Sequence, residues 1–226
     1  MPDPTTGPNA ADAPGPTGGE TFPTSGTERE LGHHDASGEA RSILMRRRYD
    51  AEPKDVWDAC TDPDRMSRFF MRPTGDLRVG GTFSFEGNAG GSILRCEPPK
   101  RLTVTWIYGP PGDLPPDQVE LRLTPDGDGT VLELEHSSSS GITGNLLNDP
   151  ERGLWGLGAG WELGLLGLHA YLRGDFPETP PSDLGETSEI ATLADHISAA
   201  WSKVLDQDTR DTSPTTSEKP PGSPQR

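Results

Sequence analysis

One apolar segment in the C-terminal half of the chain constrains the fold more than any other feature. It runs from Gly153 to Leu172 and reads GLWGLGAGWELGLLGLHAYL. Its leucines and Trp161 recur at spacings of three and four, which is typical of an apolar stripe along a helix of about five turns. A stripe of this length has to be covered by another apolar layer. The segment therefore predicts a long helix packed against the rest of the fold.

The same segment is nearly long enough to cross a membrane, and it has small residues four apart at Gly156, Gly160 and Gly164. Two ionisable residues in its interior, Glu162 and His169, argue against a membrane span. We interpret the three glycines as leaving free volume beside the helix, because each costs about 1 kcal/mol of helix propensity relative to alanine. The sequence therefore predicts a helix with open space beside it and no membrane span.

The layer that this helix covers is predicted by a series of strands with period-two alternation. Turn sequences such as GNAGG and PDGDG separate them. Adjacent hairpins of this kind predict an antiparallel sheet with one buried and one solvated face. The predicted strands are Thr82 to Glu86, Ser92 to Glu97, Arg101 to Tyr108, Gln118 to Thr124 and Val131 to His136.

A strand and two short helices precede these hairpins. Alternation from Ser42 to Asp50 predicts the strand, and Pro53 suits the first turn of a helix that follows it. Asp62 can then cap a second helix, with Pro63 in its first turn. The chain therefore predicts the order strand, helix, helix, hairpins, long helix.

Charge and cysteine content exclude several classes of function. The chain has 36 acidic and 20 basic residues, a formal net charge of −16, and a nucleic-acid partner requires a positive surface. Cys60 and Cys96 have neither metal-site nor disulfide spacing, so we expect free thiols in a cytoplasmic protein. The adjacent His33 and His34 lack a third metal ligand. We predict no metal site and no cofactor.

The flanks are rich in proline, glycine, serine, threonine and acidic residues, a composition that buries too little apolar surface to offset its ordering entropy. We therefore divide the chain into a disordered tail at 1–40, a packed domain at 41–174, an acidic, proline-rich linker at 175–187, an amphipathic helix at 188–206 and a disordered tail at 207–226. Deletion of residues 1–39 is expected to leave the melting temperature nearly unchanged. The helix at 188–206 either packs on the domain or binds a protein partner.

This order of elements resembles the helix-grip fold of the START-like (SRPBCC) superfamily, in particular its branch related to the activator of the heat-shock-protein-90 ATPase. The resemblance implies an α+β protein in which a curved antiparallel sheet wraps around a long C-terminal helix, with two short helices after the first strand. The segments that carry it are RRRYDAEPKDVWDACTDPDRMSRFF at 46–70, DLRVGGTFSFE at 76–86, LRCEPPKRLTVTW at 94–106, LELEHS at 132–137 and GWELGLLGLHAYL at 160–172.

The resemblance implies a cavity between sheet and helix that holds an apolar small molecule, such as a lipid or polyketide. Two alternatives remain: a cyclase- or hydrolase-type enzyme using His136, or Glu162 with His169, as acid and base, and an interaction domain acting on a chaperone. No catalytic residue is assigned. The residues predicted to line the cavity are Phe70, Phe83, Phe85, Trp106, Tyr108, Leu121, His136, Trp161, Leu165 and His169.

Overall fold

The computed structural model describes residues 24–32, 39, 41–108, 115–147, 156–175 and 188–212. Its strands are β1 (Thr27–Gly32), β2 (Ser42–Tyr49), β3 (Thr74–Gly75), β4 (Thr82–Ser84), β5 (Ala89–Glu97), β6 (Arg101–Tyr108), β7 (Asp117–Asp126) and β8 (Gly129–Ser137). Its helices are α1 (Pro53–Thr61), α2 (Pro63–Met66), α3 (Thr143–Leu146), α4 (Leu157–Arg173) and α5 (Ser188–Thr212).

The strands form one curved antiparallel sheet in the order β1-β2-β8-β7-β6-β5-β4-β3. The long helix α4 packs against it at β2, where the Tyr49 hydroxyl donates to the Leu165 carbonyl at 3.0 Å. The short helices α1 and α2 follow β2, and Val56 and Trp57 of α1 are buried in the core. The predicted α+β helix-grip fold is confirmed.

Local sequence signals set both short helices as predicted. Pro53 occupies the first position of α1, where a missing N–H costs nothing. Asp62 caps α2 by accepting hydrogen bonds from the backbone N–H groups of Asp64 at 2.8 Å and Arg65 at 3.0 Å. Asp62 is therefore the single residue that separates α1 from α2.

The solvent face of the sheet carries a ladder of ion pairs across neighbouring strands. Arg46 of β2 binds Glu133 of β8, and Glu133 also accepts a hydrogen bond from Arg122 of β7 at 2.9 Å. Arg122 contacts Glu120 and Glu135 as well. This face is polar, as the alternation predicts, and the apolar residues point towards α4.

The first strand corrects the sequence prediction. Residues 27–32 were assigned to a disordered tail, but they form β1, which pairs along its whole length with β2. Leu31 is its one buried apolar residue, and Arg29 reaches across to Glu162 of α4. A composition argument misses such a strand because little of its stability comes from apolar burial. Residues 1–23, 33–38, 176–187 and 213–226, with His33 and His34 among them, lie outside the described residues.

Helix α5 begins at Ser188 as predicted but ends at Thr212 and not near 206. Side chains in its last turns bond back to the helix, Thr209 to the Leu205 carbonyl and Arg210 to the Asp206 carbonyl, both at 2.8 Å. Its apolar face packs on α4 and β1. Packing on the domain is therefore correct, and the buried face is not available to a protein partner. The buried residues of that face are Ala194, Ile197 and Trp201.

Two glycines of α4 outside the predicted stripe allow close packing. A Cβ at position 158 would lie 2.6 Å from the Trp201 indole, and one at position 167 would lie 2.6 Å from the Phe69 carbonyl oxygen. Neither distance is compatible with a side chain. Gly158 therefore permits α5 to dock on one flank of α4, and Gly167 permits the segment after α2 to dock on the other.

The predicted glycine stripe itself has mixed roles. A Cβ at Gly156 would collide with the Leu147 backbone, and Gly160 faces open solvent. Of the three, Gly164 borders the space beneath the helix, next to Phe70. The interpretation of all three as sources of free volume is therefore wrong for two of them, because helical spacing does not reveal what each residue faces.

No helix in the described part of the chain is long and apolar enough to span a membrane.

Candidate functional site

A cavity of about 180 Å³ lies between α4 and the buried face of the sheet. Trp161, Gly164 and Leu165 of α4 form one side of it, and strands β4 to β8 form the other. Leu77 and Cys96 border it and are both exposed, so the cavity opens to solvent beside them. The site is therefore a pocket with one open side.

Aromatic rings dominate the wall. The Trp106 and Trp161 ring centroids are 4.7 Å apart, and Phe70 meets Phe85 edge to face at 5.5 Å. Phe83 meets Phe85 in the same way, also at 5.5 Å. Edge-to-face contacts fix the rings relative to one another. The pocket therefore has a preformed apolar surface.

Seven of the ten residues predicted to line the cavity lie around it. They are Phe70, Phe83, Phe85, Trp106, Leu121, Trp161 and Leu165. The prediction missed others that share the same apolar faces, and the alternation of β8 and the helical spacing of α1 and α4 already pointed to several of them. The missed residues include Cys60, Gly164, Leu132, Leu134 and Leu168.

Tyr108 was predicted to line the cavity, but its side chain is 66% exposed and lies away from it. The pairing of β6 with β7 ends at Trp106 and Asp117. Tyr108 therefore extends beyond the part of the sheet that α4 covers, although it shares a strand face with Trp106. Alternation predicts the face of a residue and does not predict where the opposing layer ends.

His136 was also predicted to line the cavity, but it is buried behind Trp161, with 1% of its surface exposed. The Trp161 indole donates to its Nδ1 at 3.0 Å, and its Nε2 lies 3.0 Å from the Asp117 carboxylate. Burial raises the pKa of Asp117, but hydrogen bonds from His136 and Ser138 outweigh this, so the pKa lies below its usual value. His136 thus links a cavity wall to a carboxylate at the sheet edge.

The pairing of Glu162 with His169, considered for an enzyme, is wrong. Seven residues of helix separate them by about 10 Å, and Glu162 instead binds Arg29 of β1. His169 lies outside the cavity wall, with its ring centroid 6.3 Å from that of Tyr49. Burial and the neighbouring Arg47 lower the pKa of His169. The structure brings no acid–base pair of these two residues together.

The two thiols are expected to differ sharply in reactivity. Burial raises the pKa of Cys60 to about 12, so it stays a thiol at pH 8, whereas Cys96 is exposed at the cavity mouth. Because thiolates are the reactive form, Ellman's reagent should titrate one thiol rapidly in the native protein and the second only after unfolding. Cys96→Ser should abolish the rapid phase. Two rapid thiols would contradict the burial of Cys60.

No group of three or more histidine, cysteine or acidic side chains in the described ranges is arranged to hold a metal ion.

Comparison with known proteins finds a matching family model and similar solved structures. The family model described as "Activator of Hsp90 ATPase homolog 1-like protein" matches residues 50–173. The solution structure of CalU16 from Micromonospora echinospora is 42% identical, covers 82% of this chain and 99% of that chain, and has a TM-score of 0.65. The crystal structure of CalU16 is also 42% identical, covers 80% and 98%, and has a TM-score of 0.60. No curated protein matches the chain.

Proposed function

The chain belongs to the family of Activator of Hsp90 ATPase homolog 1-like proteins, and we propose that within this fold it binds an apolar small molecule between α4 and the sheet. The observation that carries this proposal is the chemistry of the pocket wall. Among the described residues that border the cavity, none is charged, and six are aromatic. A largely apolar, concave and preformed site is typical of small-molecule binding.

The volume of the pocket limits the ligand. Apolar cavities of about 150 Å³ accept a molecule the size of benzene, and this one measures about 180 Å³. An uncharged ligand of one or two rings, or the apolar end of a longer lipid or polyketide, fits this space. The remainder of a longer ligand would leave through the mouth beside Leu77 and Cys96. A charged group inside the pocket would lose its hydration without gaining a partner.

The geometry favours a binding module over an enzyme. His136 has both ring nitrogens engaged behind Trp161, and Glu162 binds Arg29 of β1. Neither group faces the pocket, so neither reaches a bound molecule as an acid or base.

Native mass spectrometry tests the proposal directly. Protein purified from its own host is expected to retain an uncharged ligand that is released on unfolding. The uncharged fluorophore N-phenyl-1-naphthylamine, with one ring system inside the cavity and the other in the mouth beside Leu77 and Cys96, should bind to ligand-free protein and slow the reaction of Cys96 with Ellman's reagent. Protein that is reproducibly empty and does not bind the fluorophore would contradict the proposal.

A matched pair of substitutions on α4 tests where the ligand binds. A Cβ at Gly164 would lie 3.3 Å from the Phe70 ring, so the side chain of Gly164→Leu must occupy the pocket, whereas a Cβ at Gly160 meets nothing within 4 Å. Both changes improve helix propensity by roughly the same amount, about 0.8 kcal/mol. Gly164→Leu is therefore expected to weaken fluorophore binding more than tenfold, about 1.4 kcal/mol, and Gly160→Leu to leave it unchanged. Equal affinities in a fluorescence titration would place the binding site elsewhere.

A further inference from the structure

Trp161 forms part of the cavity wall, and the N–H edge of its ring is hydrogen-bonded to a residue outside that wall. Its ring borders the cavity beside Trp106, and it lies nearly parallel to the Phe70 ring at a centroid distance of 6.2 Å. Its N–H donates to His136 Nδ1 at 3.0 Å, and His136 does not border the cavity. The polar edge of the indole is therefore anchored outside the pocket, and its apolar surface is presented to a ligand.

This anchor requires one protonation state of His136. An indole N–H can only donate, so Nδ1 must be the unprotonated ring nitrogen. The proton of neutral His136 is then on Nε2, which donates to the Asp117 carboxylate at 3.0 Å. The other tautomer would place two N–H donors against each other at Trp161. Asp117 therefore selects the tautomer that can hold Trp161.

The surroundings of His136 leave this selection to Asp117. Among the described residues that pack on its ring, β7 contributes Asp117, β6 contributes Trp106 at a centroid distance of 6.4 Å, and α4 contributes Trp161. Its cross-strand partners, Ile43 of β2 and Val119 of β7, are apolar. Asp117 is the charged group in contact with the imidazole.

We propose that His136 and Asp117 are positioning residues for the ligand pocket: they hold the Trp161 ring in the orientation that the ligand meets, although neither touches the ligand. This inference rests on the proposed binding function. Part of the affinity for the ligand then depends on His136 and Asp117, two polar residues that do not line the pocket. Binding also depends on the His136 tautomer that Asp117 selects.

Two substitutions of His136 separate positioning from packing. In His136→Asn the side-chain oxygen can take the place of Nδ1 and accept from Trp161, whereas His136→Leu offers no acceptor. We expect His136→Leu to weaken binding of N-phenyl-1-naphthylamine about tenfold and His136→Asn to stay within about threefold of wild type. Thermal unfolding of each variant shows whether it is folded at the titration temperature.

The indole N–H signal of Trp161 gives an independent readout in a ¹H–¹⁵N spectrum, assigned with Trp161→Phe. The signal should move in His136→Leu and remain near its wild-type position in His136→Asn. Asp117→Ala removes the acceptor that holds the Nε2 proton of His136, and it should therefore move the Trp161 signal and weaken fluorophore binding as well.

The outcomes distinguish this inference from the proposed function. A wild-type protein that does not bind the fluorophore would overturn both. If wild type binds but His136→Leu binds equally well, or if the Trp161 signal ignores the substitution, only the positioning role is overturned. Should His136→Leu not fold, Asp117→Ala decides: a Trp161 signal and a fluorophore affinity that both stay at their wild-type values would overturn the inference.

Discussion

Replacing Arg29 by methionine is expected to destabilise the protein by about 3–5 kcal/mol at pH 7, because it leaves a buried carboxylate without its partner. Glu162 is fully buried in α4, and Arg29 in β1 is 13% exposed. The guanidinium binds both carboxylate oxygens, with Nε lying 2.7 Å from Oε2. Urea denaturation of Arg29→Met and wild type measures the loss.

The loss of stability caused by Arg29→Met should depend on pH. Burial raises the pKa of Glu162 above its ordinary value of 4.5, although Arg29 acts in the opposite direction. Because the folded state holds this proton more tightly than the unfolded state, the contribution of Glu162 to stability is largest below the unfolded pKa and declines as pH rises through the folded pKa. Removing Arg29 raises the folded pKa further. The difference between Arg29→Met and wild type should therefore shrink as the pH is lowered from 7 towards 5.

Two controls make this result specific. Arg46→Met removes an arginine from the solvent face of the same sheet, where ion pairs contribute at most about 1 kcal/mol. The double variant Arg29→Met with Glu162→Leu removes both buried charges and should recover most of the lost stability. Equal losses for Arg29→Met and Arg46→Met would show that Glu162 finds another partner, such as the nearby Arg47.

The pairing of Arg29 with Glu162 reverses the expectation that deleting residues 1–39 leaves the melting temperature nearly unchanged. Removing residues 1–39 takes away β1, its hydrogen bonds to β2 and the guanidinium that binds Glu162. The loss of stability should therefore be at least as large as that of Arg29→Met. A melting temperature that stays near the wild-type value would show that residues 1–39 contribute little to stability, as expected of a tail.

Replacing Trp201 by alanine is expected to cost about 3–5 kcal/mol and to release α5 from the domain. Trp201 is fully buried and packs against Gly158, where a Cβ would come within 2.6 Å of its ring. The indole is the largest fully buried side chain in the described residues. Urea denaturation measures the cost, and hydrogen exchange of the α5 amides reports release.

A substitution of Gly158 tests the same contact with Trp201. Gly158→Ala should also destabilise the protein, because the added methyl group and the Trp201 ring cannot occupy the same space, whereas Gly160→Ala should stabilise it slightly. In the combination of Gly158→Ala with Trp201→Ala, the costs should be less than additive. Unchanged protection of α5 in Trp201→Ala would show that Ala194 and Ile197 suffice to hold the helix.

Much of the site was predictable because its residues follow regular patterns. Phe83 and Leu121 lie on strand faces that alternation identifies, Phe85 directly follows β4, and Trp161 and Leu165 lie on the apolar stripe of α4. The failures have a different origin. Tyr108 fits the same alternation but lies past the part of β6 that pairs with β7, and His136 fits it but is separated from the pocket by a ring from another element.

The sequence by itself determined the order of the elements from β2 to α4 apart from the short β3 and α3, the starts of α1 and α2, and which strand faces are apolar. These depend on residues within a few positions of one another, such as Pro53 or Asp62 with the N–H groups that it caps. Only the tertiary structure decided that Arg29 neutralises a carboxylate 133 residues away and that Gly158, not Gly156 or Gly160, receives a tryptophan. Periodicity fixes the direction in which a side chain points. What it meets there depends on how distant elements pack, and no local pattern contains that information.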